Sequence, residues 1–200
     1  MKIISYPMGE YATNCYVVSL KDGDIIIDPG VDATQWVLSH IKKPVAILNT
    51  HGHFDHIWSN AQLKELLKIP LYCPKADAFM LNSVPFKKMV PPSTADIEIE
   101  PNSTITLANT KVKFLHFPGH SPGCSVIQID DVWFSGDFIF ENSIGRWDFK
   151  YSSQIDMLHS LKKALNVQGN FKIYPGHGPS TTFVKEKKSI PYWIDIVRSH

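Results

Sequence analysis

The sequence predicts an α/β protein that forms one domain over residues 1–200. A chain of this length can bury a sizeable core, and an apolar share of 44% beside a charged share of 20% is typical of globular proteins. Short apolar runs rich in strand formers alternate with amphipathic helical stretches. Several of these runs end at His or Asp, which places a candidate site at the ends of strands, as open α/β sheets commonly do.

The N-terminal half is predicted to hold a hairpin, two helices and two further strands. Strands at 16–20 and 25–27 flank an Asp-Gly turn, which is a strong hairpin signal. Further strands are predicted at 45–48 and 70–73, and the first helix at 33–41. The second helix is predicted at 57–68, and its expected apolar face is formed by Ile57, Ala61, Leu63, Leu66 and Leu67.

Residues 74–101 contain five prolines and are predicted to be mainly a long loop, with a helical stretch around 76–81. Loops of this length often form lids or binding surfaces. Lys87 and Lys88 lie on this loop, and we interpret them as solvated side chains in preference to substrate contacts.

The C-terminal half is predicted to contain more strands and one long helix. A hairpin spans 105–117 and turns near 109–110, and strands at 125–129 and 132–134 pair across Asp130-Asp131. A helix at 153–165 is expected to direct Ile155, Leu158, Leu161 and Leu165 inward. A strand at 171–174 follows, and 178–200 can form little more than a terminal helix.

The run at residues 51–56, His-Gly-His-Phe-Asp-His, carries the highest density of potential metal ligands. One metal ion needs only three or four donors, so four donors here, with more His and Asp further on, indicate two metals and metal-assisted hydrolysis. Side chains two residues apart in an extended chain point the same way, so His51 and His53 can converge on one metal. Asp55 and His56 lie where the chain enters a helix and can face a second.

Three later strand-like runs show the same arrangement. Each ends in Gly, and a potential ligand follows at once: His120, Asp137 and His177. Glycine permits close approach of the backbone to a site. One such pattern is weak, whereas four ligand-bearing strand ends in one chain are a strong indication of a metal site.

This set of residues resembles the metallo-β-lactamase superfamily, and the resemblance extends over most of the chain. It is also carried by four longer segments: Asn14-Cys15-Tyr16, Ile27-Asp28-Pro29-Gly30, Pro118-Gly119-His120-Ser121-Pro122-Gly123 and Pro175-Gly176-His177-Gly178-Pro179. Ser143-Ile144-Gly145-Arg146 with Asp148, and Thr181-Thr182 with Glu186-Lys187, resemble the short glyoxalase II-like (hydroxyacylglutathione hydrolase-like) branch. The resemblance implies an αββα sandwich.

The resemblance also implies two divalent metals with three ligands each: His51, His53 and His120 for the first, and Asp55, His56 and His177 for the second. Asp137 is expected to bridge both metals. A metal-bridging hydroxide then attacks the carbonyl of a thioester, of the S-lactoylglutathione type, with Asp55 and Asp137 as the candidate catalytic residues. Zinc is the first expectation, and iron and manganese accept the same ligands.

Related reactions of the same fold provide the alternatives. A mononuclear iron persulfide dioxygenase would hold one iron per chain, and a phosphodiesterase or nuclease would use the same two metals. A non-catalytic metal-binding protein fits less well, because no expected ligand is missing. A β-lactamase role is disfavoured, because Asp137 resembles the bridging carboxylate of the hydrolase branch.

Substrate contacts are less defined, because the C-terminal helical domain by which full-length glyoxalase II enzymes help bind glutathione has no counterpart in these residues. Arg146 is the candidate for a substrate carboxylate, since guanidinium binds carboxylates in a bidentate manner, and pairing with Asp148 is the alternative. The expected partner is a small-molecule thioester. A net charge of +1 favours neither nucleic acid nor membranes. Three widely spaced cysteines suit a cytoplasmic protein. The oligomeric state remains open.

Overall fold

The structure is a computed structural model and describes residues 1–82 and 90–199. Within these ranges, two six-stranded sheets and a two-stranded ribbon are present. Lys87 and Lys88 lie outside the described residues, and so does the central part of the predicted loop.

The first sheet comes from the N-terminal half of the chain. Its strands, in both chain and spatial order, are β1 (Lys2–Met8), β2 (Thr13–Ser19), β3 (Asp24–Ile27), β4 (Pro44–Leu48), β5 (Leu71–Pro74) and β6 (Ile97–Ile99). The strands β1, β2 and β3 are antiparallel, whereas β3 to β6 run parallel. The predicted hairpin at 16–27 and the strands at 45–48 and 70–73 are confirmed. β1 and β6 are additional to the prediction.

The second sheet comes from the C-terminal half. The chain forms β7 (Thr104–Leu107), β8 (Thr110–His116), β9 (Ser125–Ile129) and β10 (Val132–Gly136), then the ribbon β11 (Ile139–Phe140) and β12 (Ser143–Ile144), and finally β13 (Lys172–Pro175) and β14 (Thr181–Thr182). The spatial order is β14-β13-β10-β9-β8-β7. β10 and β13 are parallel, and the other pairs are antiparallel. Both predicted hairpins of this half are confirmed.

Helices cover the outer faces of the two sheets. They are α1 (Ala33–His40), α2 (Phe54–Ile57), α3 (Asn60–Leu67), a 3₁₀ helix (Lys75–Asn82), α4 (Gln154–Leu165), α5 (Phe183–Lys187) and α6 (Ile190–Ser199). The predicted helix at 33–41 agrees with α1, and the helical stretch around 76–81 agrees with the 3₁₀ helix. Residues 178–200 hold a short strand and two helices, which is more structure than the single terminal helix expected.

The prediction of one helix at 57–68 is wrong, because α2 and α3 are separated by a turn at 58–59. Ser59 lies at this break and is tied to the segment before α1. Its hydroxyl donates to the Gly30 carbonyl at 2.7 Å and accepts from the Ala33 amide at 3.1 Å. The Ser59 amide donates to the Pro29 carbonyl at 2.9 Å instead of to a helical carbonyl, so the helix is interrupted there, and Leu66 is 54% exposed instead of buried.

The predicted inward face of α4 is wrong at Ile155, which is 65% exposed. The buried face is formed by Met157, Leu161 and Ala164. The N-cap sets this rotation: Ser153 accepts from the Asp156 amide and donates its own amide to the Gly119 carbonyl at 2.8 Å. Sequence periodicity contains no information about this tertiary contact.

Side chains alternate along the central strands between two apolar layers. In β3, Ile25 and Ile27 belong to the core between the sheets, whereas Ile26 packs with the helices α1 to α3. In β10, Phe134 points into the same central core, whereas Trp133 packs with α4 and α6. This alternation, with period two, builds three stacked apolar layers. The result is the predicted αββα sandwich in one domain.

Across the described ranges, every helix is too short or too polar to cross a membrane.

Candidate metal centre

The predicted ligands meet at one edge of the sandwich because they follow strands whose carboxyl ends lie there. His51 and His53 follow β4, and α2 carries Asp55 and His56 directly afterwards. His120 follows β8, and β8 runs parallel to β10 because both are antiparallel to β9. Asp137 and His177 follow β10 and β13, which are parallel neighbours. The structure therefore brings all seven predicted residues together.

We call His51, His53 and His120 the inner group. One ligand atom from each side chain lies within 4.8 Å of the other two. Nδ1 of His53 and Nε2 of His120 are 2.8 Å apart. All three side chains are buried, with His51 completely so. Three imidazole donors in this arrangement are the set that the sequence predicted for the first metal.

We call Asp55, His56 and His177 the outer group. Their ligand atoms also lie within 4.8 Å of one another. Nε2 of His56 is 3.5 Å from Oδ2 of Asp55, and Nε2 of His177 is 3.4 Å from the same oxygen. The His177 side chain is 29% exposed, so this group lies nearer to solvent than the inner one.

Asp137 lies between the two groups. Its Oδ2 is 3.2 Å from Nε2 of His120 in the inner group and 3.4 Å from Nε2 of His177 in the outer group. Its Oδ1 is 3.4 Å from Nε2 of His56. This is the position that a bridging carboxylate requires.

Four of the histidines direct Nε2 into the centre because another group holds their Nδ1. Nδ1 of His120 is 2.8 Å from the Arg146 carbonyl, and Nδ1 of His177 is 2.9 Å from the Tyr11 carbonyl. A carbonyl only accepts, so each Nδ1 carries a proton, and Nε2 is the nitrogen left to face a metal. Such outer hydrogen bonds orient metal-binding imidazoles in proteins.

Asp28 and Thr50 hold the other two rings. Oδ2 of Asp28 is 3.0 Å from Nδ1 of His56 and accepts the Thr50 hydroxyl at 2.6 Å. Because the Thr50 proton is used there, its oxygen accepts from Nδ1 of His51 at 3.0 Å. Oδ1 of Asp28 accepts the Thr50 amide at 2.8 Å. Asp28 therefore orients one histidine of each group.

The start of β2 anchors the outer group. The Thr13 hydroxyl donates to Oδ2 of Asp55 at 2.6 Å. The Asn14 side chain donates to the carbonyls of Pro175 and Gly178 at 3.0 and 2.8 Å. The Tyr16 hydroxyl donates to the same Pro175 carbonyl at 2.5 Å. These bonds give a structural role to the Asn14-Cys15-Tyr16 segment, for which the sequence alone indicated none.

The donors fit divalent cations on two structural observations. Among the described residues, Nε2 of His51 and Oδ1 of Asp137 are buried and have no hydrogen-bond partner, which is costly unless a cation binds them. Gly176 leaves room for this: a Cβ there would collide with Oδ1 of Asp137 and would lie 2.8 Å from Cε1 of His56. The close approach of the Gly176 backbone and the two unpaired ligand atoms both suit a metal centre.

Electrostatics separate the two groups. Burial lowers the pKa of His51, and the neighbouring His56 and His53 add to this. Burial and His120 lower the pKa of His53 to about 3. In the outer group, burial opposes the change, but the carboxylates of Asp137 and Asp55 raise the pKa of His177 to about 9. Protons therefore favour His177 over His51 and His53.

The same opposition holds for the remaining outer residues and for the bridge. Burial alone would lower the pKa of His56, but the carboxylates of Asp55, Asp137 and Asp28 raise it. Burial also opposes the shift of Asp55, whose pKa falls to about 2 because His56 and His177 are adjacent. The pKa of Asp137 is lowered despite burial, because His56, His177 and His120 surround it. Both Asp55 and Asp137 are therefore ionised near neutral pH and ready to bind a cation.

A cavity of about 400 Å³ opens beside the centre. Its walls away from the ligands are largely apolar: Tyr11, Phe54, Phe140, Ile144 and Phe149. The ring of Phe149 lies edge-on to His120 at 5.8 Å between centroids, and Phe140 lies edge-on to His177 at 5.9 Å. A small substrate bound here would contact apolar walls on one side and the predicted ligands on the other.

Arg146 lines the cavity, but its guanidinium is paired with Asp148. Nε and Nη2 donate to the two carboxylate oxygens at 2.8 and 2.7 Å. The guanidinium also lies over the Phe149 ring, 4.4 Å from its centroid. Both side chains of the pair are exposed. The geometry supports pairing with Asp148, which was the alternative role predicted for Arg146.

Two buried carboxylates at the centre were missed as site residues by the reasoning from sequence. Asp28 follows the apolar run 25–27, so the pattern of a ligand after a strand also applied to it. Asp77 lies on the 3₁₀ helix within a proline-rich stretch, where no periodic pattern marks it. It contacts both loops that carry the inner group.

Comparisons with known proteins agree with this geometry. The sequence model of the metallo-beta-lactamase superfamily matches residues 8–181. A Bacillus subtilis protein named probable metallo-hydrolase YqgX is 31% identical, over 96% of this chain and 97% of its own. The BLEG-1 B3 metallo-beta-lactamase structure superposes with a TM-score of 0.87 at 30% identity, covering 96% of this chain and 99% of its own.

A second solved structure bears on the metal. TTHA1623 in a di-iron-bound form superposes with a TM-score of 0.82 at 30% identity. The match covers 94% of this chain and 99% of the other. That protein holds two irons, so zinc is not the only metal to consider for a fold of this shape.

Proposed function

The chain belongs to the metallo-beta-lactamase superfamily, and on that basis we propose that it is a metal-dependent hydrolase that cleaves a thioester. The observation that carries the proposal is the position of Asp137 between the inner and outer groups, beside an apolar cavity. In this proposal the inner group holds one divalent metal, the outer group holds the second, and Asp137 bridges them.

Bound divalent metals supply hydroxide at neutral pH and polarise a carbonyl oxygen. The protein side chains supply the rest. Thr13 fixes the Asp55 carboxylate, which is the candidate for orienting the attacking oxygen. Phe140 and Phe149 exclude water from the bound substrate, which strengthens electrostatic interactions inside the cavity. A thiolate leaves without strong acid assistance, which suits a cavity whose titratable groups are mainly the metal-ligand candidates.

The proposed substrate is of the S-lactoylglutathione type, by resemblance to glyoxalase II-like hydrolases. Its small acyl group suits the cavity volume of about 400 Å³. Among the described cavity residues Arg146 is the one Lys or Arg, and it is already paired with Asp148. The carboxylates of glutathione therefore gain little from this cavity wall.

Zinc is the proposed metal for both positions, with iron or manganese as the alternatives, since His and carboxylate ligands accept all three. The presence of seven converging donors favours two metals over the single iron of a persulfide dioxygenase. A small-molecule thioester is the proposed partner, without nucleic acid or membrane. The three cysteines are buried free thiols, which agrees with the proposed cytoplasmic location.

The decisive experiment is the initial rate of S-D-lactoylglutathione hydrolysis by metal-replete protein. We expect turnover, and we expect Asp137→Ala to lower kcat/KM by at least about 100-fold because it removes electrostatic support from the reacting centre. Asp131→Ala is the matched control, since it changes an exposed carboxylate at the start of the same strand region.

Negligible turnover by a protein that holds two metals would overturn the thioester proposal and leave the metallo-hydrolase assignment in place. A β-lactam and a phosphodiester belong in the same assay. Turnover of either one in place of the thioester, with the same Asp137 dependence, would reassign the substrate.

A further inference from the structure

Asp77 is a buried carboxylate outside the ligand motifs. It lies on the 3₁₀ helix Lys75–Asn82, which follows β5, and its exposed fraction is 0%. Burial raises the pKa of its carboxyl, and hydrogen bonds from Ser121, Gly123 and Gly52 oppose that rise. A carboxylate in this position is costly to bury unless its bonds are needed.

The bonds of Asp77 join the two loops that carry the inner group. Oδ2 accepts the Gly52 amide at 2.9 Å, between His51 and His53. The same oxygen accepts the Ser121 hydroxyl at 2.6 Å, directly after His120. Oδ1 accepts the Gly123 amide at 2.6 Å in the same loop. One side chain therefore links loops that are about seventy residues apart in sequence.

The loops also pack tightly around Asp77. A Cβ at Gly52 would lie 2.9 Å from the Asp77 carbonyl oxygen and 3.1 Å from the Asp77 Cβ. A Cβ at Gly123 would lie 2.8 Å from the Asp77 Cγ. Glycine at both positions lets the backbones approach the carboxylate closely. The outer group receives no hydrogen bond from Asp77 among those of the described residues.

We propose that Asp77 is a positioning residue that holds His51 and His53 at the correct distance from His120 and thereby sets the metal affinity of the inner group. This inference rests on the proposed metal-binding function. The 2.8 Å separation between His53 Nδ1 and His120 Nε2 is the distance that the two loops, joined through Asp77, maintain.

A carboxylate is needed because all three partners donate. An asparagine side chain has one oxygen and one NH₂ group, and the NH₂ group cannot accept. Whichever way the new amide turned in the Asp77→Asn variant, it would face the backbone amide of Gly52 or of Gly123 with a donor. Asp77→Asn therefore removes a hydrogen bond to one of the two loops while keeping the size of the side chain.

The test measures zinc affinity at each group separately, by competition with a chromophoric chelator. Asp77→Asn is combined with His177→Ala, which leaves the inner group intact, and with His53→Ala, which leaves the outer group intact. We expect zinc binding to weaken about 10- to 100-fold in the first background and by less than about threefold in the second.

Asp24→Asn is the matched control in both backgrounds. Asp24 is also buried and accepts two backbone amides, those of Lys42 and Lys43 at 2.8 Å each, but it lies at the opposite end of β3 from the centre. A general loss of stability would affect both carboxylate variants, whereas a positioning role lowers zinc affinity only in Asp77→Asn.

The inference would be overturned if Asp77→Asn left the zinc affinity of the inner group within about threefold of the background variant, or if it lowered the zinc affinity of both groups equally. Ser121→Ala provides a second variant if Asp77→Asn does not fold. It removes one bond to the intact carboxylate, and a loss of several-fold at the inner group alone is expected. Wild-type protein without zinc affinity would overturn the metal proposal as well, whereas two bound zinc ions without thioester turnover would overturn the substrate alone.

Discussion

The inner and outer groups both contain histidines, but the burial and the charges around these histidines differ. The inner group is three buried imidazoles, and the pKa of His53 falls to about 3 because burial and His120 disfavour its charged form. The outer group holds a carboxylate and a partly exposed imidazole, and the pKa of His177 rises to about 9 through Asp137 and Asp55. His51 and His53 are thus unprotonated near neutral pH and ready for a cation, whereas His56 and His177 must first release protons.

Adjacent sites of similar composition therefore need not bind metal alike. Metal binding at His56 and His177 competes with protons near neutral pH, and binding at His51 and His53 does not. The support differs as well, since Asp77 joins the inner loops and the start of β2 anchors the outer ones. Substitutions that act on one group alone can test whether this contrast holds.

Removing one imidazole from each group would show whether the groups are separable. We expect His53→Ala to lose the inner metal and His177→Ala to lose the outer one. Each loss of metal affinity should exceed the loss of about 10- to 100-fold that follows removal of a residue that only hydrogen-bonds a metal ligand. For both variants, mass spectrometry measures the metal content after dialysis, and an activity assay measures the rate of thioester hydrolysis. Loss of both metals in each variant would show that Asp137 makes the two groups one unit.

Removing the orientation of His56 should weaken the outer group less than removing a ligand. In Asp28→Asn an NH₂ group replaces the oxygen that accepts from Nδ1 of His56, while the bond to the Thr50 amide can persist. We expect outer-metal affinity to fall about 10- to 100-fold. Chelator competition measures the loss, with Asp24→Asn at the other end of β3 as control. An unchanged affinity would mean that packing alone orients His56.

The pKa difference predicts opposite pH dependences of stability in chelator-treated protein. The folded pKa of His177, about 9, lies above its ordinary 6.5, so its contribution is complete below pH 6.5 and is lost as the pH rises towards 9. The interactions of His177 with Asp137 and Asp55 make this loss of unfolding free energy on the order of 2 kcal/mol. One pKa unit corresponds to about 1.4 kcal/mol, and the partial exposure of the ring reduces the total. Denaturant unfolding between pH 6 and 10 measures it.

His53 should behave in the opposite sense. Its pKa of about 3 lies below 6.5, so the folded state loses stability as the pH falls from 6.5 towards 3. His177→Asn should flatten only the alkaline side of the profile, and His53→Asn only the acid side. A profile that either variant leaves unchanged would contradict the electrostatic contrast between the groups.

Arg146, at the cavity rim, should matter least of these residues. Because Asp148 already binds both edges of the guanidinium, Arg146→Ala should change KM for an anionic thioester by no more than about threefold, since exposed ion pairs contribute little. Asp148→Ala would free the guanidinium and should lower KM. A tenfold rise in KM for Arg146→Ala would restore Arg146 as a substrate ligand.

Local patterns in the sequence predicted the strand ends well. The run at 51–56 and the Gly-then-ligand pattern located seven candidate ligands, and the structure brings all seven together. The break at Ser59 and the exposure of Ile155 were not predictable, because each depends on a hydrogen bond to a distant segment. Periodicity describes a helix in isolation and contains no information about such contacts.

The seven candidate ligands could be predicted from the sequence because they depend on residue type and on spacing along strands, and the resemblance that these motifs carry implied the αββα class and the metallo-hydrolase family. Three features emerged only in the folded chain: the electrostatic division of the donors, the pairing of Arg146 with Asp148, and the link that Asp77 makes between two loops. Burial, charge proximity and hydrogen bonds across long sequence separations exist only once the chain has folded.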